Sequence, residues 1–172
     1  DSQIMSTPNI YNAEKIILLF HGISLIWAHR DPITGRIRPD ESVVANPCAK
    51  YIEWALSKGY GVVDIFVTPL ETTAPAKLVN IICDNAIRFF KAQHISIIGA
   101  GQAYGYAVQT AAHRCLKDNL KSIVCFVGSE DTLRQFPSTS DEAAVRKFHD
   151  KSLVFTVNNH NTWKQRYVRK KC

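Results

Sequence analysis

Short apolar runs alternating with amphipathic helical stretches predict a single α/β domain. Its core would be a doubly wound, mainly parallel sheet of about five strands with helices on both faces. Three observations carry this expectation. KIILLF (15–20), GVVDIFV (61–67), HISIIG (94–99), SIVCFV (122–127) and LVFTV (153–157) are nearly continuous apolar runs, as strands covered on both faces are. Helical periodicity fills the connections between them. At 172 residues the chain also has the length of one domain with a sizeable core.

Taken in order, the first run ends at His21-Gly22, as a buried strand entering a turn would. Residues 23–41 make a long connection punctuated by Pro32, Gly35 and Pro39. A helix should open at Asn46-Pro47, an asparagine that can cap followed by a proline suited to the first helical position. Its apolar stripe is Cys48, Tyr51, Ile52, Ala55 and Leu56, and Gly59 supplies the stop. The second strand closes at Thr68-Pro69. From Pro75 a longer helix is expected to about Gln93. Leu78, Ile81, Ile82, Ala86, Phe89 and Phe90 would share one face, with Lys77, Asp84, Arg88 and Lys91 opposite. The third strand runs into a glycine-dense turn, and the next helix carries Ala107, Val108, Ala111, Ala112 and Cys115. After the fourth strand come a polar stretch, a short helix near 141–150, and the fifth strand.

Composition narrows the function classes. No segment approaches the roughly 18 uninterrupted apolar residues of a membrane span, and DSQIMSTPNIYNAEK lacks the basic-then-apolar opening of a secretory leader. A chain opening on Asp1, with its only methionine at Met5, is expected to be part of a longer protein. Five widely spaced cysteines, Cys48, Cys83, Cys115, Cys125 and Cys172, favour a reducing intracellular compartment. With no CxxC pair, a sulfur-based zinc site is not expected, and no residue is assigned to a metal. The net charge is +6, and five basic residues lie in the last nine: Lys164, Arg166, Arg169, Lys170 and Lys171. The body is therefore nearly neutral and the end is a basic tail, suited to an acidic partner such as nucleic acid or an acidic protein face, or simply kept solvated. Trp27 and Trp163 lie in polar connections, as interface aromatics do. Together with Arg30, Arg36 and Arg38 of the 23–41 connection, they join the tail as partner-binding candidates.

In doubly wound sheets ligands sit beyond the carboxyl ends of the strands, where GAGQAYG (99–105) falls. Gly99 and Gly101 match the start of a G-x-G-x-x-G nucleotide cradle, but Tyr104 stands at the third glycine. The ribose-binding acid expected about 20 residues later is also missing, since Asp118 closes a helix instead. A nucleophile elbow, G-x-S-x-G, fits 101–105 with one change: Ala103 fills the serine position. The hydrolase order is otherwise kept, with His21-Gly22 where an oxyanion hole forms, Glu130 and Asp131 after the fourth strand, and His160 after the fifth.

Each of these residues also has a structural explanation. His21 can satisfy a strand-end carbonyl, His160 can serve a turn, and the acids can open a solvated stretch. Alanine has no lone pair to attack a carbonyl, and losing a triad nucleophile costs on the order of a million-fold in rate. Ser24 and Ser129 are displaced from the turn, and Cys115 would lie about 18 Å away along a regular helix. No residue is therefore assigned as catalytic. Ala103, Asp131, His160, His21 and Gly22 are vestigial positions of a hydrolase-shaped domain serving binding or assembly. The alternative is an esterase with another nucleophile.

Four stretches together resemble the Argonaute-binding-protein-two-like domain: the strand with His21-Gly22, YIEWALSKGYGVVDIFVTP (51–69), GAGQAYG (99–105) and SLVFTVNNHNTW (152–163). Gly-Tyr-Gly-Val before a strand and the Asn-Asn-His-Asn-Thr-Trp ending are the most telling. The likeness covers about 14–163, leaving 1–13 as an N-terminal extension and 164–172 as the tail. The domain occurs at the C-terminus of fungal class II histone deacetylases and in a separate Argonaute siRNA chaperone subunit. The resemblance implies an α/β-hydrolase-like fold and a non-catalytic pseudoenzyme domain without a cofactor. It also implies nuclear localisation, homodimerisation, and contact with histones or silencing-complex subunits during heterochromatic gene silencing. Zinc-dependent deacetylation would belong to a preceding domain, whose ligand set of histidine and aspartates has no counterpart here. Other members of the group carry His-Ser-Tyr-Gly where this chain has Gln102-Ala103-Tyr104-Gly105.

Overall fold

In the computed structural model, which describes residues 3–22, 26–27, 43–44, 47–67, 75–116, 118–127 and 142–156, the apolar runs assemble into a six-stranded sheet. Its strands are β1 (Gln3–Ser6), β2 (Lys15–His21), β5 (Gly61–Phe66), β6 (His94–Ala100), β7 (Leu120–Val127) and β8 (Ser152–Thr156). Their spatial order is β1-β5-β2-β6-β7-β8, and every neighbouring pair is parallel except β1 with β5. Two short strands, β3 (Ile26–Trp27) and β4 (Val43–Val44), pair separately and antiparallel. The helices are α1 (Pro47–Ser57), α2 (Pro75–Asn85), α3 (Tyr104–Ala112) and α4 (Glu142–Lys151).

The pleat explains why the runs read as continuously apolar. Ile16, Leu18 and Phe20 of β2 point into a large core with Val79, Ile82 and Cys83 of α2, Ala107, Val108 and Ala111 of α3, and Phe148 of α4. Alternate residues Ile17 and Leu19 join Val62 and Ile98 under Ala55 of α1, with Tyr51 and Ile52 packed alongside. Helices thus cover both faces, as expected of a doubly wound sheet. On the α1 face an aromatic row continues outward, Tyr51 stacking on Phe126 at 5.5 Å and Phe126 on Phe155 at 5.2 Å.

Three boundaries differ from expectation. The sheet gains a sixth strand because Gln3–Ser6, inside the expected N-terminal extension, pairs along β5, and Ile10 of the same segment is buried. All four β1 residues are exposed, so no alternation marked the strand. The helix from Pro75 ends at Asn85: Ala86 is non-helical and a 3-10 turn spans Ile87–Phe89. Of the expected stripe, Leu78, Ile82 and Phe90 pack on the core, and two members do not. Ile81 and Phe89 are half-exposed, with Arg88 lying over the Phe89 ring, while Val79, Ile82, Cys83 and Ile87 face the core. Similarly α3 stops at Ala112, so Cys115 lies in a 3-10 turn, Arg114–Leu116, and not on a continuing helix.

Candidate functional site

Strand succession reverses between β2 and β6. The chain moves from β2 outward to β5, then returns past β2 to β6, β7 and β8. At such a switch point the connections leaving two adjacent strands diverge and open a crevice. The carboxyl end of β2 delivers His21 and Gly22 there, and the carboxyl end of β6 delivers the glycine turn.

His21 is buried on the α1 side of the sheet. Its Nε2 lies 2.8 Å from Asp64 Oδ1 of β5, with the two side chains 10% and 14% exposed. The separation is that of a close ion pair, although neither atom meets hydrogen-bond angles in it. On its other side Nδ1 lies 3.1 Å from the Gly22 carbonyl oxygen, and Phe66 packs edge-on against the ring. Both ring nitrogens therefore face acceptors. An imidazolium can donate to both, whereas a neutral ring donates to one. In a hydrolytic triad the second nitrogen faces the nucleophile's hydroxyl; here a carbonyl stands beside it.

The glycine turn is built by close approach. A Cβ on Gly99 would lie 2.6 Å from Ala107 Cβ and 2.9 Å from Tyr104 Cα, so α3 sits directly on bare backbone. Gly101 follows β6 with φ of 57°, in the left-handed region. A 3-10 turn, Gly101–Ala103, then leads into α3. Ala103 has ordinary right-handed geometry (φ −80°, ψ −5°) and is 1% exposed, its methyl part of the large core. The residue at the sharp apex is therefore Gly101, two positions before the alanine that the elbow frame places there. Neither residue carries a nucleophilic atom.

A second constellation lies on the α2–α3 side. Cys83 faces inward from α2 and is fully buried. At the end of α3, His113 takes extended backbone (φ −69°, ψ 140°) and turns the chain so that Cys115 comes back beneath it. His113 Nδ1 is 3.1 Å from Cys115 Sγ and accepts the Cys115 backbone N–H at 3.3 Å. One donor atom from each of Cys83, His113 and Cys115 lies within 4.8 Å of the others. The hydrogen bond between the two thiols holds Cys83 well above the ordinary thiol value, with burial acting the same way. That hydrogen bond pulls Cys115 below the ordinary value, aided by His113 and opposed by burial. Cys125, alone in β7, is pushed up to about 12 by burial.

Of the sequence candidates, His21, Gly22 and the turn with Ala103 meet at the switch point, and Trp27 lies on β3. Asp131, His160, Arg30, Arg36, Arg38, Trp163, Lys164, Arg166, Arg169, Lys170 and Lys171 lie outside the described residues. Two features were missed. Asp64 was signalled as the one charged residue inside GVVDIFV. The cluster at Cys83, His113 and Cys115 defeats the spacing argument against sulfur ligands, because the fold joins residues about 30 apart.

Comparisons with known proteins agree with this architecture. A family model described as the Arb2-like domain matches residues 1–172. The chain is 31% identical to the histone deacetylase HDA1 of Saccharomyces cerevisiae over 99% of its own length and 25% of that protein. It is 23% identical to the histone deacetylase clr3 of Schizosaccharomyces pombe over 96% of this chain and 25% of that one. The chain thus spans about a quarter of these curated relatives. A solved structure of a histone deacetylase from Saccharomyces cerevisiae superposes with a TM-score of 0.79 at 29% identity, covering 94% of this chain and 69% of the other. The structure of the histone deacetylase Clr3 gives 0.80 at 23% identity, covering 95% and 28%, a likeness of fold alone. With its whole length inside the family model, the chain belongs to the Arb2-like domain family.

Proposed function

We propose that this chain is the non-catalytic interaction domain of a class II histone deacetylase, supporting complex assembly and histone contact in chromatin silencing in the nucleus. The observation that carries the reading is the pattern of coverage. Relatives named histone deacetylases match almost all of this chain, yet it accounts for only a quarter of their length. Zinc-dependent deacetylation then belongs to the remaining three quarters. The switch point supports the non-catalytic part: a glycine at the apex, a buried methyl at Ala103, and a histidine whose two nitrogens face a carboxylate and a carbonyl.

The basic residues at 164–172 supply a charge suited to acidic partners, and a homodimer would present two such tails. Binding of core histones or DNA to the purified chain should fall steeply with salt and drop on deletion of 164–172. Binding unchanged by the deletion would move the interface to another surface. Ester turnover by the purified chain that disappears in His21→Ala or His160→Ala would overturn the non-catalytic reading.

A further inference from the structure

We infer that Cys83, His113 and Cys115 form a zinc-type metal site tying α2 to the end of α3. The proposal is independent of the function proposed above, since it concerns the opposite side of the sheet from His21. It rests on how the fold places three soft donors. Cys83 projects from the buried stripe of α2, and α2 packs on α3. His113 breaks α3 with extended backbone, and the 3-10 turn that follows sets Cys115 beside its ring. All three donor atoms fall within 4.8 Å of one another.

In a tetrahedral zinc site with Zn–S near 2.3 Å and Zn–N near 2.0 Å, ligand atoms stand roughly 3.3–3.8 Å apart. Bringing this trio onto an ion thus requires side-chain shifts of about 1 Å. Two thiolates with one imidazole are a donor set that selects zinc over magnesium or calcium. Charge balance fits the burial: two thiolates neutralise one divalent ion, so the filled site places no net charge beside the apolar core.

Binding forms two metal–sulfur bonds, releases to solvent whatever S–H protons the two cysteines still carry, and changes no oxidation state. Three protein donors leave a fourth position. Cys83 closes the inner side, while His113 and Cys115 are only half-buried, so that position opens toward solvent and takes water.

The test uses the whole 172-residue chain, reduced and stripped with a chelator, then titrated with Co²⁺ as a spectroscopic stand-in for Zn²⁺. The expected result is one equivalent of Co²⁺ with a thiolate-to-cobalt charge-transfer band and tetrahedral visible bands, all bleached by one equivalent of Zn²⁺. Zn²⁺ should also raise the melting temperature. Cys115→Ser and His113→Gln, at half-buried positions, should each weaken Co²⁺ binding at least tenfold while retaining the circular dichroism of the parent. Cys83→Ser should weaken the thiolate band by at least half, Cys83→Ser/Cys115→Ser should abolish it, and Cys125→Ser should leave it intact. Absence of uptake, uptake without a thiolate band, or a band retained in the Cys83→Ser/Cys115→Ser double variant would overturn the assignment. A Cys83–Cys115 disulfide as the stable form, with no Co²⁺ uptake after reduction, would also overturn it.

Discussion

The crevice beyond β2 and β6 and the junction between α2 and α3 sit on the same scaffold with opposite assets. The first has the backbone of a reaction centre: a left-handed glycine, a helix pressed onto Gly99, and a histidine paired with a carboxylate. Among the described residues, Gly101 and Ala103 bring no reactive atom to the point where that backbone converges. The second holds two thiols and an imidazole in mutual reach, at a helix end with no recognisable motif. Motif-like backbone and reactive side chains are therefore separable, and reactive groups can gather where no motif announces them.

Three substitutions or measurements bear on this contrast. The largest effect is expected for Gly99→Val. Its Cβ meets Ala107 and the Tyr104 backbone inside contact distance, so urea denaturation should show a loss of about 3 kcal/mol. Unchanged stability would mean that α3 does not rest on the turn. Next, Ala103→Ser places a hydroxyl in the core, and a loss of about 2 kcal/mol is expected with no gain in ester turnover. Turnover in this variant would make Ala103 a latent nucleophile position and dissolve the contrast.

The smallest effect concerns reactivity and leaves stability unchanged. In the metal-free chain Cys115 should be alkylated by iodoacetamide severalfold faster than Cys83 or Cys125 at neutral pH. Its lowered value keeps more thiolate present, so the advantage should shrink as pH falls and that thiolate takes up a proton. Cys83→Ala removes the hydrogen bond and should slow the reaction. Equal labelling of all three cysteines would show that the trio does not interact.

What could be read from the residues follows from how local each feature is. β2, β5, β6 and β7 were legible because burial makes each strand a short apolar word; β8 was legible from its apolar composition, although Leu153 and Phe155 stay half-exposed at the sheet margin. β1 was not, since four exposed edge residues have nothing to bury. The switch-point site was half legible. His21-Gly22 and the glycines stand beside strand ends, but which glycine carries the positive φ depends on how α3 packs. The cysteine cluster depends on two breaks, the end of α2 near Asn85 and the extended His113, and periodicity alone carries a helix past both.

The antiparallel β1 has a consequence for any longer polypeptide that contains this domain. β1 and β8 are the two margins of the sheet, five interstrand steps apart, or about 24 Å at the usual spacing. The chain therefore enters β1 and leaves β8 at opposite margins of the sheet but on one common edge, the carboxyl ends of the parallel strands.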